Sequence, residues 1–302
     1  MVTHTASAFR LVAALAATVW AVPAMADKAL NMPVGVTELS VKIYNLHMLI
    51  FWVCVAIALV VFAAMIWSIV AFRKSRGAVA DTKLTHSTKV EIVWSTVPLI
   101  ILVVMAVPAA RTLIDIEDTR GSELSIKVTG YQWKWHYEYL DSGVSFFSTL
   151  ARSSNAARQL GSGIDPNTVP NYLLDVDNPL VVPAGTKVRL LLTSNDVIHA
   201  WWVPAFGMKK DAIPGFVNEL WFRVDENKTG TYRGQCAELC GRDHGYMPIV
   251  VEVKNPADFE AWLGAKQDEA RQAAAPAANP APTVQLPAPA EPASARTTAQ
   301  AN

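Results

Sequence analysis

Polar and apolar positions divide the chain into regions with different periods. No charged residue falls between Leu49 and Phe72, and none between Ile92 and Ala110, a run bracketed by Glu91 and Arg111. As helices rising about 1.5 Å per residue, both runs are long enough to cross a hydrocarbon layer roughly 30 Å thick. Pro98 and Pro108 fall within the second run, where membrane helices tolerate proline. A third apolar run, LVAALAATVWAV, follows Arg10 and leads to Ala24-Met25-Ala26. It is short for a span, and a small-x-small site after an apolar core marks an export signal. Residues 1–26 are therefore expected to be a signal peptide cleaved after Ala26, the alternative being a first membrane helix.

Beyond Arg111 the pattern changes to short alternating runs, SELSIKVTG, TKVRLLLTS, NELWFRVD and MPIVVEVK, separated by Gly, Pro, Asn and Asp. Period-two alternation with closely spaced turn residues predicts an all-β sandwich. Its domain is expected over residues 112–272. Residues 150–178 are poor in pattern and carry Gly161, Gly163, Pro166 and Pro170, which predicts a surface insertion. Residues 256–272 have a helical pattern. From 273 to 302 the chain is Ala/Pro-rich and is expected to be a disordered tail. The expected architecture is thus a two-helix transmembrane hairpin over residues 27–111, with spans near 49–72 and 92–110, followed by an all-β domain.

Charge adds an orientation. The stretch between the two spans holds Arg73, Lys74, Arg76, Lys83 and Lys89 against Asp81. Short basic loops stay in the cytoplasm, so the N-terminus and the β domain are expected outside, in agreement with the export signal. The formal net charge is zero, which gives no hint of a nucleic-acid partner. Of the three cysteines, two sit in one short motif, too few for a disulfide scaffold.

That motif is CAELCGRDHGYM, residues 236–247, with the spacing C-x3-C-x3-H-x2-M. It lies in a loop between strand-like runs, and His199 follows a strand upstream in TSNDVIHAWWVP. Thiolate, imidazole and thioether together favour copper. A mononuclear blue site needs one Cys, two His and a weak axial ligand, so the second thiolate is one too many. Two thiolates bridging two copper ions, with His199 and His244 one on each, Met247 completing one metal and a loop carbonyl the other, use every donor. A Cys236–Cys240 disulfide is the bland alternative in an oxidising compartment.

The whole pattern resembles subunit II of haem–copper cytochrome c oxidases of the bacterial aa3 type over residues 35–265. The resemblance implies two membrane helices and a cupredoxin domain carrying a dinuclear copper A centre, in the bacterial inner membrane with the copper domain periplasmic. The ligands it implies are His199, Cys236, the main-chain carbonyl of Glu238, Cys240, His244 and Met247. It implies that Trp133, the first Trp of QWKW in YQWKWHYEYL, receives electrons, and that Glu138, Asp177 and Asp196 help dock a basic cytochrome c. Asp196→Asn is expected to slow that association at low salt and leave the copper spectrum intact. Glu91, in STKVEIVWSTVP, matches the mouth of a proton path in subunit I, and the Glu238 carboxylate is expected to hold Mg or Mn at the subunit I interface. No haem motif is present, so oxygen reduction and the proton pumping coupled to it belong to partner subunits. The competing class is a membrane-anchored copper carrier or a thiol-redox assembly factor, although such factors favour C-x-x-C.

Overall fold

The structure is a computed structural model that describes residues 31–79 and 85–274. The expected signal peptide, Asp81, Lys83 and nearly all of the Ala/Pro-rich segment lie outside the described residues.

Two long helices come first, α1 over Glu38–Ala71 and α2 over Thr88–Glu117. Both extend past the uncharged runs, for local reasons. At the start of α1, Thr37 accepts from the Ser40 N–H while Ser40 reaches back to the Thr37 backbone, a capping box that satisfies helix-end donors. α2 runs through Pro98 and Pro108 and continues beyond the apolar stretch to Glu117. Large apolar side chains such as Trp52, Val60, Leu99 and Val104 stand exposed along both helices. A surface that apolar, on helices of this length, is matched to lipid rather than to water.

The rest is a sandwich of two five-stranded sheets. The strands are β1 (Leu124–Tyr131), β2 (Lys134–Tyr139), β3 (Val144–Ser148), β4 (Leu180–Pro183), β5 (Val188–Ser194), β6 (His199–Val203), β7 (Met208–Ala212), β8 (Asn218–Phe222), β9 (Gly230–Cys236) and β10 (Pro248–Lys254). One sheet has the order β3-β2-β1-β5-β8, the other β4-β10-β9-β6-β7. Each sheet contains one parallel pair, β1 with β5 and β10 with β4. The inward positions of β5 are buried alternately, as the sequence pattern requires. Between the sheets lie Trp135, Tyr137, Tyr139, Trp201, Phe206 and Phe222, all essentially fully buried. A short helix, α3 (Arg152–Ala157), lies in the segment between β3 and β4, and α4 (Pro256–Ala274) packs Phe259 and Trp262 against the sandwich. The alternating runs read from the sequence correspond to β1, β5, β8 and β10; β2, β3, β4, β6, β7 and β9 are not among them.

The hairpin is fastened to the sandwich by polar contacts at its β-domain end. The Trp221 indole N–H donates to Asp115 O at 3.0 Å, and Lys187 Nζ donates to the carbonyls of Asp118 and Arg120 at 2.8 Å. Within the hairpin Lys42 of α1 pairs with Asp115 of α2 at 3.1 Å, and Lys210 of β7 ties Glu117 to the sandwich at 3.0 Å. The Thr37 hydroxyl donates to Phe206 O at 2.8 Å. These contacts seat the sandwich directly on the membrane helices.

Candidate metal centre

The separation of 37 residues between His199 and Cys236 disappears in the sheet. β6 and β9 run antiparallel with Trp201 opposite Cys236. Continuing that register brings His199, the first residue of β6, opposite Glu238, just past the end of β9. The Ala237 N–H donates to Ala200 O at 3.0 Å and the Cys236 N–H to Met247 O at 3.0 Å, so the loop closes on its own first residue.

Ligand atoms of His199, Cys236 and Cys240 all lie within 4.8 Å of one another. Nδ1 of His199 is 3.9 Å from Cys236 Sγ, the two sulfurs are 3.7 Å apart, and Nδ1 of His244 is 3.5 Å from Cys240 Sγ. The donors therefore run His–Cys–Cys–His, with the sulfurs in the middle and one imidazole at each end. Glu238 O is 3.3 Å from Cys236 Sγ, and Met247, bonded through its carbonyl to the Cys236 N–H, is buried in the same core cluster as both cysteines. A sulfur separation of 3.7 Å is far beyond the roughly 2.05 Å of a disulfide, so both thiols are free.

The electrostatics separate the two thiols. Burial pushes both up, but His199 and neighbouring main-chain groups bring Cys236 down to about 7. Cys240 is pushed up to about 12, by burial and by the negative charge of Cys236 beside it. One thiolate forms readily and holds the other protonated, so a metal that takes both must displace a proton. His199 is raised above its ordinary value; burial opposes this, and its contacts with Cys236 and Asp196 outweigh burial.

Asp196 stands behind the site rather than free on the surface. Its Oδ1 accepts from His199 Nε2 at 2.9 Å and its Oδ2 from the Gln132 N–H at 2.7 Å. Burial raises the carboxyl, but these bonds and the Val197 N–H hold it below the usual range. A carboxylate on the far nitrogen fixes the ring so that Nδ1 faces the sulfurs. The expectation that Asp196→Asn leaves the metal spectrum untouched is therefore revised. The substitution is expected to lower metal affinity by roughly ten- to a hundredfold, read by titrating the full-length chain against a copper chelator. Unchanged affinity would show that the ring is held without it.

Trp133 and Gln132 form the turn between β1 and β2, directly over the loop. The Trp133 Nε1–H donates to Cys240 O at 3.1 Å, and the Gln132 amide donates to the same carbonyl at 2.9 Å. Gly241 lies beneath this turn with φ +113, and a Cβ there would sit 2.9 Å from the Gln132 amide nitrogen. Arg242 lies 5.5 Å from the Trp133 ring centroid. The other two acids have structural partners. Glu138 pairs with Lys127 at 3.4 Å. Asp177 accepts from the Thr149 N–H and hydroxyl at 2.7 and 2.8 Å and pins the base of segment 150–178. Glu91 lies in the first turn of α2, 26 residues and about 39 Å of helix from Glu117. Glu238 is exposed.

Sequence reasoning missed two residues at this site. Gly130 on β1 leaves room for the His199 ring, since a Cβ there would be 2.7 Å from its Cδ2. Arg158, in the segment read as a surface insertion, reaches Asp243 in the metal loop. Neither has a local signal, because each works through a partner far along the chain.

Fold and donor set together define a membrane-anchored, cupredoxin-like sandwich with a His/Cys cluster able to hold a metal. Residues 124–254 match the family described as "Cytochrome C oxidase subunit II, periplasmic domain", and residues 25–111 match its transmembrane domain. A probable cytochrome c oxidase subunit 2 of Rickettsia bellii is 40% identical over 227 residues, 74% of this chain and 79% of the relative. Cytochrome c oxidase subunit 2 of Cereibacter sphaeroides is 34% identical over 235 residues, 75% of this chain and 77% of the relative. The crystal structure of the periplasmic domain of subunit II of cytochrome oxidase from Bradyrhizobium japonicum is 41% identical with a TM-score of 0.43, covering 50% of this chain and 98% of that one. The chain belongs to the cytochrome c oxidase subunit II family. It is accordingly a membrane subunit of an oxidoreductase complex.

Proposed function

We propose that this chain is the electron-accepting subunit of its oxidase and holds a dinuclear copper A centre. The carrying observation is the His199–Cys236–Cys240–His244 line of donors lying under the Trp133 turn. The donor set fits the group: two soft thiolates shared in the middle, one imidazole at each end, and Met247 and the Glu238 carbonyl beside them. Copper held there supplies reversible one-electron exchange spread over two metals.

The chain's own residues provide the rest. Asp196 orients His199, and the sandwich buries His199, Cys236, Cys240 and Met247, with His244 half-buried. Trp133 offers a half-buried ring hydrogen-bonded to the backbone of a ligand, a contact suited to the haem edge of a cytochrome c. Asp196, in the β5–β6 loop and bonded to the Gln132 N–H of the Trp133 turn, together with Glu138 and Asp177, contributes negative charge for a basic donor. Such charges act mainly on association rate and its salt dependence. Electrons leave to haem in subunit I, where oxygen is reduced to water and protons are pumped. The exposed carboxylate of Glu238 holds Mg or Mn at that interface, which elemental analysis of the assembled oxidase reads.

The sandwich lies on the periplasmic side of the bacterial inner membrane, because Arg73, Lys74, Arg76 and Lys89 cluster at the far end of the hairpin. Glu91 lies at that cytoplasmic end and collects protons for subunit I. In the assembled oxidase, Glu91→Ala is expected to slow the proton-consuming steps severalfold, an effect on the scale of one general acid–base group or less. Reduction of the metal centre by cytochrome c keeps its rate; slowing of that first step in stopped flow would remove Glu91 from the proton path.

The carrier or thiol-factor reading fits less well. Carriers hand metal over through exposed ligands, whereas His199, Cys236 and Cys240 are 0%, 3% and 2% exposed. Copper content and electron paramagnetic resonance of the loaded full-length chain test the choice.

A further inference from the structure

Apart from Asp177 at its base, segment 150–178 has no part in electron transfer as described above, yet one of its side chains grips the metal loop. Arg158 directly follows α3, and its Nε donates to Asn155 Oδ1 at 2.8 Å, which fixes the guanidinium plane. Nη1 and Nη2 each donate to a different carboxylate oxygen of Asp243, at 3.5 and 3.4 Å. The same guanidinium lies 4.3 Å from the centroid of the Tyr246 ring. Asp243 immediately precedes His244, and Tyr246 immediately precedes Met247. One cation thus holds the residue before each of the last two donors of the motif.

The arm that carries Arg158 is itself secured. Asp177 pins its base to Thr149, the Leu173 N–H donates to the buried Ser154 hydroxyl at 3.1 Å, and Asp175 pairs at 3.6 Å with Arg233 of β9, the strand ending in Cys236. Solvent access is limited, with the Arg158 and Asp243 side chains 22% and 14% exposed. Arg242 also approaches Asp243, at 3.5 Å, but its side chain is 81% exposed. An isolated surface pair contributes little. The Arg158–Asp243 bonds are long, but the pair is two-pronged and shielded and its guanidinium also lies over an aromatic ring, so several contacts act together on the loop.

We propose that Arg158 is a positioning residue for the metal centre, clamping the 241–247 loop so that His244 and Met247 are held over the thiols before metal binds and are released slowly afterwards. The proposal rests on residues 236–247 being the metal loop, the reading given above.

The test uses the full-length chain in detergent, with Arg158→Gln, Arg158→Lys and, as a control from the helix just before it, Arg152→Gln, an exposed arginine. Amide hydrogen exchange of residues 241–247 is measured in the copper-free chain, and transfer of bound copper(I) to bicinchoninate in the loaded chain. Arg158→Gln is expected to speed both by about five- to tenfold, with exchange in β6 unchanged. Arg158→Lys, which keeps the charge and loses the fork, falls between, and Arg152→Gln matches the unsubstituted chain. Exchange in 241–247 unchanged by Arg158→Gln would overturn the clamp, and so would acceleration spread evenly over the sandwich, which would mean general destabilisation. The exchange measurement needs no metal. If the unsubstituted chain takes up no copper, the functional reading fails while the clamp is still decided.

Discussion

Gly130→Ala is expected to weaken metal binding on the order of a hundredfold while leaving the sandwich folded. A Cβ at this position would lie 2.7 Å from Cδ2 and 3.0 Å from Cγ of His199, a ring that is fully buried. The strand has no freedom to retreat. Gly130 lies opposite Trp135 in β2 and Ser194 in β5, and its carbonyl accepts from the Asn195 N–H at 3.0 Å. The ring also meets the indole of Trp135, the β2 neighbour of Gly130, edge-on at 5.9 Å between centroids. The imidazole must therefore turn, which breaks its bond to Asp196 and swings Nδ1 away from Cys236. Overpacking of this kind costs about 1–3 kcal/mol of fold stability, which a sandwich with this core can absorb. Loss of ring orientation is expected to cost metal affinity on the order of a hundredfold. Copper per chain and the thermal midpoint of the full-length protein check the two effects separately. Full loading with an unaltered spectrum would show that the ring has another place to sit.

Trp133→Leu is expected to have the opposite signature, an intact centre that cytochrome c no longer reduces efficiently. The Trp133 indole N–H bonds to the carbonyl of Cys240, so the ring connects the surface to a metal ligand through one hydrogen bond. Leucine fills part of the volume and keeps neither the flat ring nor the N–H. Gln132 still donates to the same carbonyl, so the loop keeps its position. Reduction by cytochrome c in stopped flow is expected to fall on the order of a hundredfold, the scale on which small losses of contact geometry act. Reduction by a small inorganic reductant keeps its rate, and Trp133→Phe lies between. Equal slowing with both reductants would instead mean that the centre itself is damaged.

The residues involved in these predictions differ in how visible they are in the sequence. The four donors of CAELCGRDHGYM stand out because a single tight loop delivers them, and His199 because a strand-like run precedes it. The membrane helices stand out because lipid demands long uncharged runs. Their ends do not, since the Thr37–Ser40 capping box and the ties from Asp115 and Glu117 to the sandwich depend on what is packed nearby. Gly130 is silent because its importance is the absence of a side chain opposite a ring from the other sheet. Arg158 is silent because it lies in a segment without period and its carboxylate partner is 85 residues away. Asp196 and Asp177 read as surface acids from composition alone, yet their oxygens are committed to His199, Gln132 and Thr149. Short-range pattern identifies donors and spans; what orients them arises from contacts between sheets.

The central claim is the dinuclear centre, and the most direct measurement is copper content together with the electron paramagnetic resonance spectrum of the full-length chain, loaded in detergent. Two coppers per chain with one unpaired electron coupled equally to both nuclei is the expected result. One copper with a single-nucleus hyperfine pattern would contradict it, turning the His199–Cys236–Cys240–His244 line into a mononuclear or carrier site and removing the support for Trp133 as the point where electrons arrive.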